Sequence, residues 1–321
     1  MGTETLRPAP RTAEAPPPRP TARRRLGRRA ARWWRGDGPA AALFVLPLLV
    51  VFGLFAWWPM ARGLVLAFQR TNFVQAAEWV GPDNFERVLN DPLLWTATAN
   101  TGWFVLLALV VGFPVPLLLA VLIGELRRGR ALFSMLAYLP VIVPPVVAVL
   151  LWRLFYAPGP DGLFNTVAGW AGLGPYPWLQ DPDWAMPSIV LHVTWAQFGT
   201  ATIIYLAALA SVRGELYESA ELDGASVRRR VWHITLPQLR GVVLIMLLLQ
   251  IVGTFQLFTE PFLLTGGGPE NSTTTLLLLI YNYAFRSGDF GAAAALSLLL
   301  AAALSLLSAA YFRATRSWSS T

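Results

Sequence analysis

The sequence predicts an all-α integral membrane protein with six transmembrane helices and both termini in the cytoplasm. Three observations lead there. Only 13% of the 321 residues are charged, against about 25% in an ordinary soluble domain, and lipid is the environment in which charge is expensive. Six apolar stretches lie at roughly 41–61, 101–124, 131–152, 186–211, 241–264 and 290–312. At about 1.5 Å per residue, each is long enough to cross a hydrocarbon core about 30 Å thick. Finally, arginine accumulates in alternate connections, which fixes the orientation of the spans.

Residues 1–38 are rich in Pro, Ala and Arg and have no apolar face. They cannot bury enough surface to offset the entropy of ordering, and are expected to form a disordered, basic cytoplasmic tail. A basic run before an apolar stretch also opens a signal peptide. The stretch at 41–61 is too long for one and lacks a small-residue cleavage site, so an uncleaved first span is expected. Trp57 and Trp58 at its far edge suit the membrane–water interface, as do Trp103, Trp152 and Tyr311 in later spans.

The connection between spans two and three holds Arg127, Arg128 and Arg130. That between spans four and five holds Arg213, Arg228, Arg229, Arg230 and Arg240, and Arg313 and Arg316 follow span six. By contrast, residues 156–185 contain Asp161, Asp181 and Asp183 with no arginine, and residues 265–289 set Glu270 and Asp289 against Arg286 alone. The six-span unit at 39–315 thus has its arginine-rich loops inside, followed by a short cytoplasmic tail at 316–321. Residues 70–100 and 156–185 are long enough for small caps on the outer side. The turn formers and aromatics of "GPYPWLQDPDW" (174–184) either contact an outer partner or seal the bundle.

Several chemistries are excluded. The chain has no cysteine, hence no disulfide, and its two histidines, His192 and His233, lie on separate segments, so no metal site is expected. It has no lysine. A P-loop needs lysine on the nucleotide phosphates and a Schiff-base enzyme needs it as nucleophile, so any ATP must be bound by another subunit. No HExxH, no GxSxG and no intramembrane pair of acids is present, which leaves no catalytic residues. The arginine-rich tail suits anionic lipid rather than nucleic acid.

One polar stretch interrupts the grease: "ELYESAELDGASVRRRVWHITLP", residues 215–237. It reads as a first short helix from about Glu215 to Leu222, a break at Asp223-Gly224, and a second helix capped by Ser226. In that second helix Val227, Val231 and Ile234 form an apolar stripe, and Pro237 is expected to stop it before the fifth span. From these features alone, an interfacial helix–turn–helix joining two spans is a sufficient reading.

The residues carry a more specific pattern. Glu218-Ser219-Ala220, Gly224, and Ile234-Thr235-Leu236-Pro237 resemble the EAA loop of ABC importer permeases, with Ser219 in place of the middle alanine. The wording "ELYESAELDGAS" is most similar to the carbohydrate-uptake branch. "TGGGPENSTTTLLLLIYNYAF" (265–285), Asn100-Thr101, and Trp152 followed by "GLFN" (162–165) resemble further elements of sugar permeases, in order, so that the resemblance covers about residues 40–315. It implies a type I importer architecture. Two related permeases form the pore, two ATPase subunits carry ATP and Mg²⁺, and an extracytoplasmic solute-binding protein delivers the substrate, all at a bacterial cell membrane. This chain would bind no cofactor itself. Glu218, Ser219, Ala220, Gly224, Ile234, Leu236 and Pro237 would form the ATPase-coupling loop at about 213–237, Glu218 pairing with a basic residue of the ATPase. The stretch is then polar because its partner is a soluble protein.

Polar groups within spans face a cavity or another helix. Sugars are held by amide and carboxylate hydrogen bonds and by stacking on aromatic rings. "TFQLFTEPF" (254–262) offers both and precedes TGGGP, a region that lines the path in similar permeases. Gln256 and Glu260, then Thr254 and Trp195, with Gln197 and Tyr205, are the substrate-pathway candidates, helix–helix contacts being the alternative role. His192 is expected to be a packing residue, and TGGGP a tight re-entrant turn rather than a phosphate cradle. Two other transport readings compete: an ABC permease for a non-sugar solute, and an ion-coupled transporter acting through Glu260.

Overall fold

The computed structural model describes residues 38–126 and 128–316; the basic tail, Arg127 and the last five residues lie outside them. Apart from turns and loops, the described chain is helical except for one short hairpin, β1 (Gln69–Arg70) antiparallel to β2 (Glu78–Trp79). The elements are α1 (Gly38–Phe52), α2 (Trp58–Leu66), α3 (Asp83–Leu89), α4 (Pro92–Leu107), α5 (Pro114–Glu125), α6 (Arg130–Ile142) and α7 (Pro145–Phe155). They continue with α8 (Leu163–Trp170), α9 (Pro182–Ala210), α10 (Gly214–Leu222), α11 (Val227–Arg230), α12 (Leu236–Thr254), α13 (Leu276–Tyr281) and α14 (Phe290–Thr315).

Five helical stretches among the described residues are long and apolar enough to cross a membrane: Ala40–Leu66, Pro92–Glu125, Pro182–Ala210, Val227–Thr254 and Phe290–Thr315. The expected third span, 131–152, is not one straight helix. It is the pair α6 and α7, bent by 95°. Pro144 forces Val143 out of the helical region, to φ −71° and ψ 126°, because a proline ring clashes with the backbone of the residue before it. Pro145 then starts α7 at a first-turn position, where its missing N–H costs nothing.

Elsewhere prolines are absorbed. The π-helical turns Gly53–Trp57, Ala108–Gly112 and Val231–Thr235 end two residues before Pro59, Pro114 and Pro237 respectively. A proline ring collides with the carbonyl four residues back, here Phe55, Val110 and His233, each inside the widened turn. One extra residue per turn moves that carbonyl aside, and the helix continues. Pro237 therefore does not end the second helix of the polar stretch as expected: α11 runs through the π turn into α12. The helix is also displaced relative to the expected fifth span at 241–264, beginning at Val227 and ending at Thr254.

The chain divides into two compact units, Met1–Arg62 and Gly63–Thr321. In the first, the described part is α1, the π turn and the start of α2. In the second, α9 is the central helix, packing on α4, α5, α6, α7 and α12, while α14 packs on α3, α12, α13 and β1. Three apolar clusters hold it. One joins Phe104, Val149, Met186, Ile189, Val193 and Leu264; a second joins Val88, Leu94, Leu276, Leu279 and Leu296; the third joins Ala120, Ile123, Ala137, Tyr205 and Leu206. At Gly199 the α6 and α9 backbones meet so closely that a Cβ there would lie 2.4 Å from the Ala137 carbonyl oxygen.

Both expected caps fold. In the first, buried Asn84 donates to the Ala67 and Gln69 carbonyls and accepts from Arg87, which pairs with Asp289 at 2.7 Å. Burial alone would raise the Asp289 carboxyl, but hydrogen bonds from Arg87 and the Ala292 amide outweigh it and hold the group below the usual carboxylate range. In the second, Asn165 of the GLFN element uses its whole amide. It donates to the Gly159 and Tyr176 carbonyls and accepts from the Tyr176 amide and the Trp178 indole. Its neighbours Trp152, Tyr156, Phe164, Trp178 and Trp184 form a continuous aromatic packing. At about 1 kcal/mol per hydrogen bond, Asn165→Ala should loosen this cap by about 2–4 kcal/mol. Limited proteolysis within 157–180 checks it, cleavage accelerating while the spans stay intact.

Candidate functional site: the polar loop and the central cavity

The polar stretch folds as two arms around a tight turn. Helix α10 closes in a Schellman arrangement: the Ala225 amide donates to the Ala220 carbonyl and the Gly224 amide to that of Glu221. This closure needs a left-handed residue, and Gly224 supplies it at φ +74°. Ser226 stands at the expected N-cap position of α11, although its side chain makes no capping hydrogen bond. Glu218, Ser219 and Gly224 are exposed, Ala220, Ile234 and Leu236 half-buried, and Pro237 exposed. No hydrogen bond or ion pair reaches Glu218 among the described residues.

The inner faces of the arms are tied together. The Tyr217 and Thr235 hydroxyls lie 3.0 Å apart, and Arg230 sits between Glu125 at 2.9 Å and Glu221 at 3.5 Å. Of the expected apolar stripe, Val231 and Ile234 are half-buried but Val227 is exposed. The loop thus shows outward the Glu218 carboxylate, Ser219 and a glycine turn, and it buries the Arg230 guanidinium between its arms and α5.

Between α4, α9 and α12 lies a cavity of about 380 Å³. Its polar lining is Gln197 and Thr200 from α9 with Gln250 and Thr254 from α12, set among Phe104, Val193 and Leu257. Carboxamides and hydroxyls beside apolar surface are what a polyhydroxylated ring with one apolar face would meet. The structure brings Gln197 and Thr254 together here and leaves the other candidates elsewhere. Tyr205 is fully buried in the cluster with Ala120 and Ala137, and Trp195 stacks near Trp152 and His192. Gln256 and Glu260 lie past the end of α12; Gln256 folds back on the Val252 carbonyl. Because the helix stops at Thr254, the face carrying Gln250 and Thr254 is not extended to them. Thr200 was missed by sequence, although its spacing of three from Gln197 puts both on one helix face. His192 is 1% exposed and meets Trp152 edge-on at 5.2 Å, the packing role expected of it.

The glycine-rich run forms the tight turn expected, with Gly266 and Gly267 at positive φ. Its threonines bond back into it, Thr265 to Thr273 and Thr273 to the Gly268 carbonyl. The separate Asn100-Thr101 element holds this turn in place. Asn100 donates to the Asn271 and Thr274 carbonyls, and Thr101 accepts from the Leu276 amide. Two elements about 170 residues apart therefore form one structural unit.

Comparison with known proteins accords with this arrangement. Residues 112–317 match the family described as binding-protein-dependent transport system inner membrane component. The chain is 34% identical over 267 residues to the polygalacturonan/rhamnogalacturonan transport system permease protein YteP of Bacillus subtilis (strain 168), spanning 81% of this chain and 82% of that one. It is 34% identical over 280 residues to the lactose transport system permease protein LacF of Rhizobium radiobacter, covering 85% and 93%. A solved bacterial alginate ABC transporter, in complex with an alginate pentasaccharide-bound periplasmic protein, contains a chain that superposes with a TM-score of 0.80 at 25% identity, covering 92% of this chain and 99% of that one. These matches favour the importer over the ion-coupled alternative, and they put the protein in the cell membrane as a multi-pass, non-enzymatic transport component. The chain belongs to the family of binding-protein-dependent transport system inner membrane components, the permeases of ABC importers.

Proposed function

We propose that this chain is the permease subunit of an ATP-driven importer for a sugar or sugar derivative, contributing half of the translocation pathway. The observation that carries the reading is the exposed 213–237 loop, whose Glu218 has no partner among the described residues, on a chain of this family. A carboxylate left free beside a glycine turn suits a basic groove on a soluble ATPase subunit, which would hold ATP and Mg²⁺. Ser219, Ala220, Gly224, Ile234, Leu236 and Pro237 complete that docking surface. A second, related permease and two ATPase subunits would complete the transporter. Its six spans count α6 and α7 as one broken span, and both termini lie in the cytoplasm, in keeping with the arginine distribution. The unit at 39–315 is the permease domain, flanked by the two cytoplasmic tails.

The sugar assignment is supported by the relatives, whose named substrates are carbohydrates, and by the amide-and-hydroxyl lining of the central cavity. Gln197, Thr200, Gln250 and Thr254 are the proposed pathway contacts; Trp195, Tyr205, Gln256 and Glu260 lie outside the lining of this cavity. Uptake of labelled oligosaccharides in a strain lacking the chain, complemented by wild type or by Gln197→Leu, is the test. One lost substrate hydrogen bond corresponds to roughly a tenfold fall in uptake rate, with expression and assembly unchanged. Restoration by wild type of a non-carbohydrate uptake only would reject the sugar reading.

A further inference from the structure

We propose that Arg230 is a positioning residue that fastens the coupling loop to the end of α5 and so carries motion of the loop into the second span. This rests on the reading of 213–237 as the ATPase-docking loop. Two carboxylates converge on the guanidinium. One terminal nitrogen donates to Glu125 Oε2 at 2.9 Å, and the other faces Glu221 Oε2 at 3.5 Å. The Arg230 side chain is only 12% exposed, in contrast to Glu221 at 59%, and its Nε is buried without a partner. Beside it is a cavity of about 310 Å³, whose lining includes Glu125, Arg130, Tyr217, Glu221, Arg230 and Thr235.

The partners come from three elements. Glu221 belongs to α10, the first arm of the loop; Arg230 ends α11, the second arm; Glu125 is the last residue of α5, 105 residues away in sequence. Tyr217 and Thr235, whose hydroxyls lie 3.0 Å apart, line the same space. Without the guanidinium, the Arg230–Glu221 link between the arms and the Arg230–Glu125 link to α5 are both lost, while the Tyr217–Thr235 pair and the turn at Gly224 remain. A push on the outer face would then be absorbed by bending at the turn. With it, both arms and α5 share one charged node, and α5 packs along α9, which lines the central cavity. Arginine suits this role because its planar fork offers separate nitrogens to two carboxylates, whereas lysine offers one compact charge.

The experiment uses the assembled transporter in proteoliposomes, measuring ATP hydrolysis and solute moved per ATP for Arg230→Met, Arg230→Glu, Glu125→Gln and the exchange Arg230→Glu/Glu125→Arg. Arg230→Met should leave the ATPase bound and hydrolysing but lower solute moved per ATP by about tenfold, the scale of removing one partner from a partly buried, hydrogen-bonded charge pair. Glu125→Gln should fall between this variant and wild type, and the exchange should recover transport that Arg230→Glu loses. Unchanged transport per ATP in Arg230→Met and Glu125→Gln, or an exchange no better than Arg230→Glu, would overturn the proposal. If Arg230→Met does not assemble, the Glu125→Gln and exchange outcomes decide. Failure of the wild-type chain to bind any ATPase would reject the coupling-loop reading instead.

Discussion

Gly224→Asp should abolish ATP-driven uptake while the protein still inserts in the membrane. Two effects act together. The residue sits at φ +74°, within a Schellman closure that carries two backbone hydrogen bonds, and a non-glycine residue is strained there by roughly 1 kcal/mol. That alone would merely weaken the turn. The larger effect is external: a Cβ at this position would meet no heavy atom within 4 Å beyond its chain neighbours, so the glycine's smallness serves nothing within this chain beyond the turn. An added carboxylate would project toward the docking partner, three residues from Glu221 and beside Asp223, and raise negative charge at a surface where Glu218 alone is expected to meet a basic group. Gly224→Ala separates the two effects. It imposes the backbone strain without the charge, and should retain a large part of the uptake that Gly224→Asp loses. Uptake by both variants in whole cells, normalised to membrane content, checks the ranking.

Gly199→Val should have the largest effect on folding. The position is buried at the crossing of α6 and α9, where a Cβ would stand 2.4 Å from the Ala137 carbonyl, 2.9 Å from Val141 Cγ2 and 3.1 Å from the Tyr138 Cα. Two of these neighbours are backbone, so the clash cannot be relieved by a rotamer change. The helices must separate, opening the cluster of Ala120, Ile123, Ala137 and Leu206. Overpacking of this kind costs about 1–3 kcal/mol where neighbours can give way, and more where they cannot. A fall in thermal stability of the detergent-purified protein, with Gly199→Ala intermediate, is the expected result. An unchanged melting temperature for the valine variant would mean that the two helices do not cross so closely.

The sequence made the spans legible because lipid leaves a strong compositional record: long apolar runs, interfacial tryptophans, and arginine concentrated in alternate loops. Local turn chemistry was equally readable. Gly224 ends its helix, Ser226 begins the next, and the glycine run at 265–269 turns as expected. Prolines were read with less success, because the same residue type has two outcomes. At Val143-Pro144-Pro145 two adjacent rings leave no helical option and the span breaks. At Pro59, Pro114 and Pro237 a single ring is accommodated by a π turn upstream, and the helix continues. The doubled proline separates the two cases in the sequence, whereas the π turn that absorbs a single ring has no such local mark.

The polar candidates divide for a related reason. Gln197 and Thr254 meet in the central cavity because each lies on a helix face that the bundle turns inward. Gln256 and Glu260 follow the end of α12, and a sequence pattern that assumes a continuous helix puts them on a face that does not exist. Arg230 was counted among the topology-setting arginines, yet it is largely buried between two acids. Its partner Glu125 is 105 residues distant, a pairing that no local spacing encodes.

The absence of cysteine from the chain makes one measurement especially direct. Ser219→Cys places a unique thiol on the exposed face of α10, next to Glu218. Cross-linking in native membranes with a short bifunctional thiol-to-amine reagent, followed by mass spectrometry of the adduct, identifies whatever docks there. The account predicts a single major adduct, an ATPase subunit carrying a nucleotide-binding P-loop, which disappears in a Gly224→Asp background. Adducts with lipid-embedded proteins only, or none while the assembled transporter is demonstrably present, would contradict the assignment of this loop as the point where ATP hydrolysis is coupled to transport.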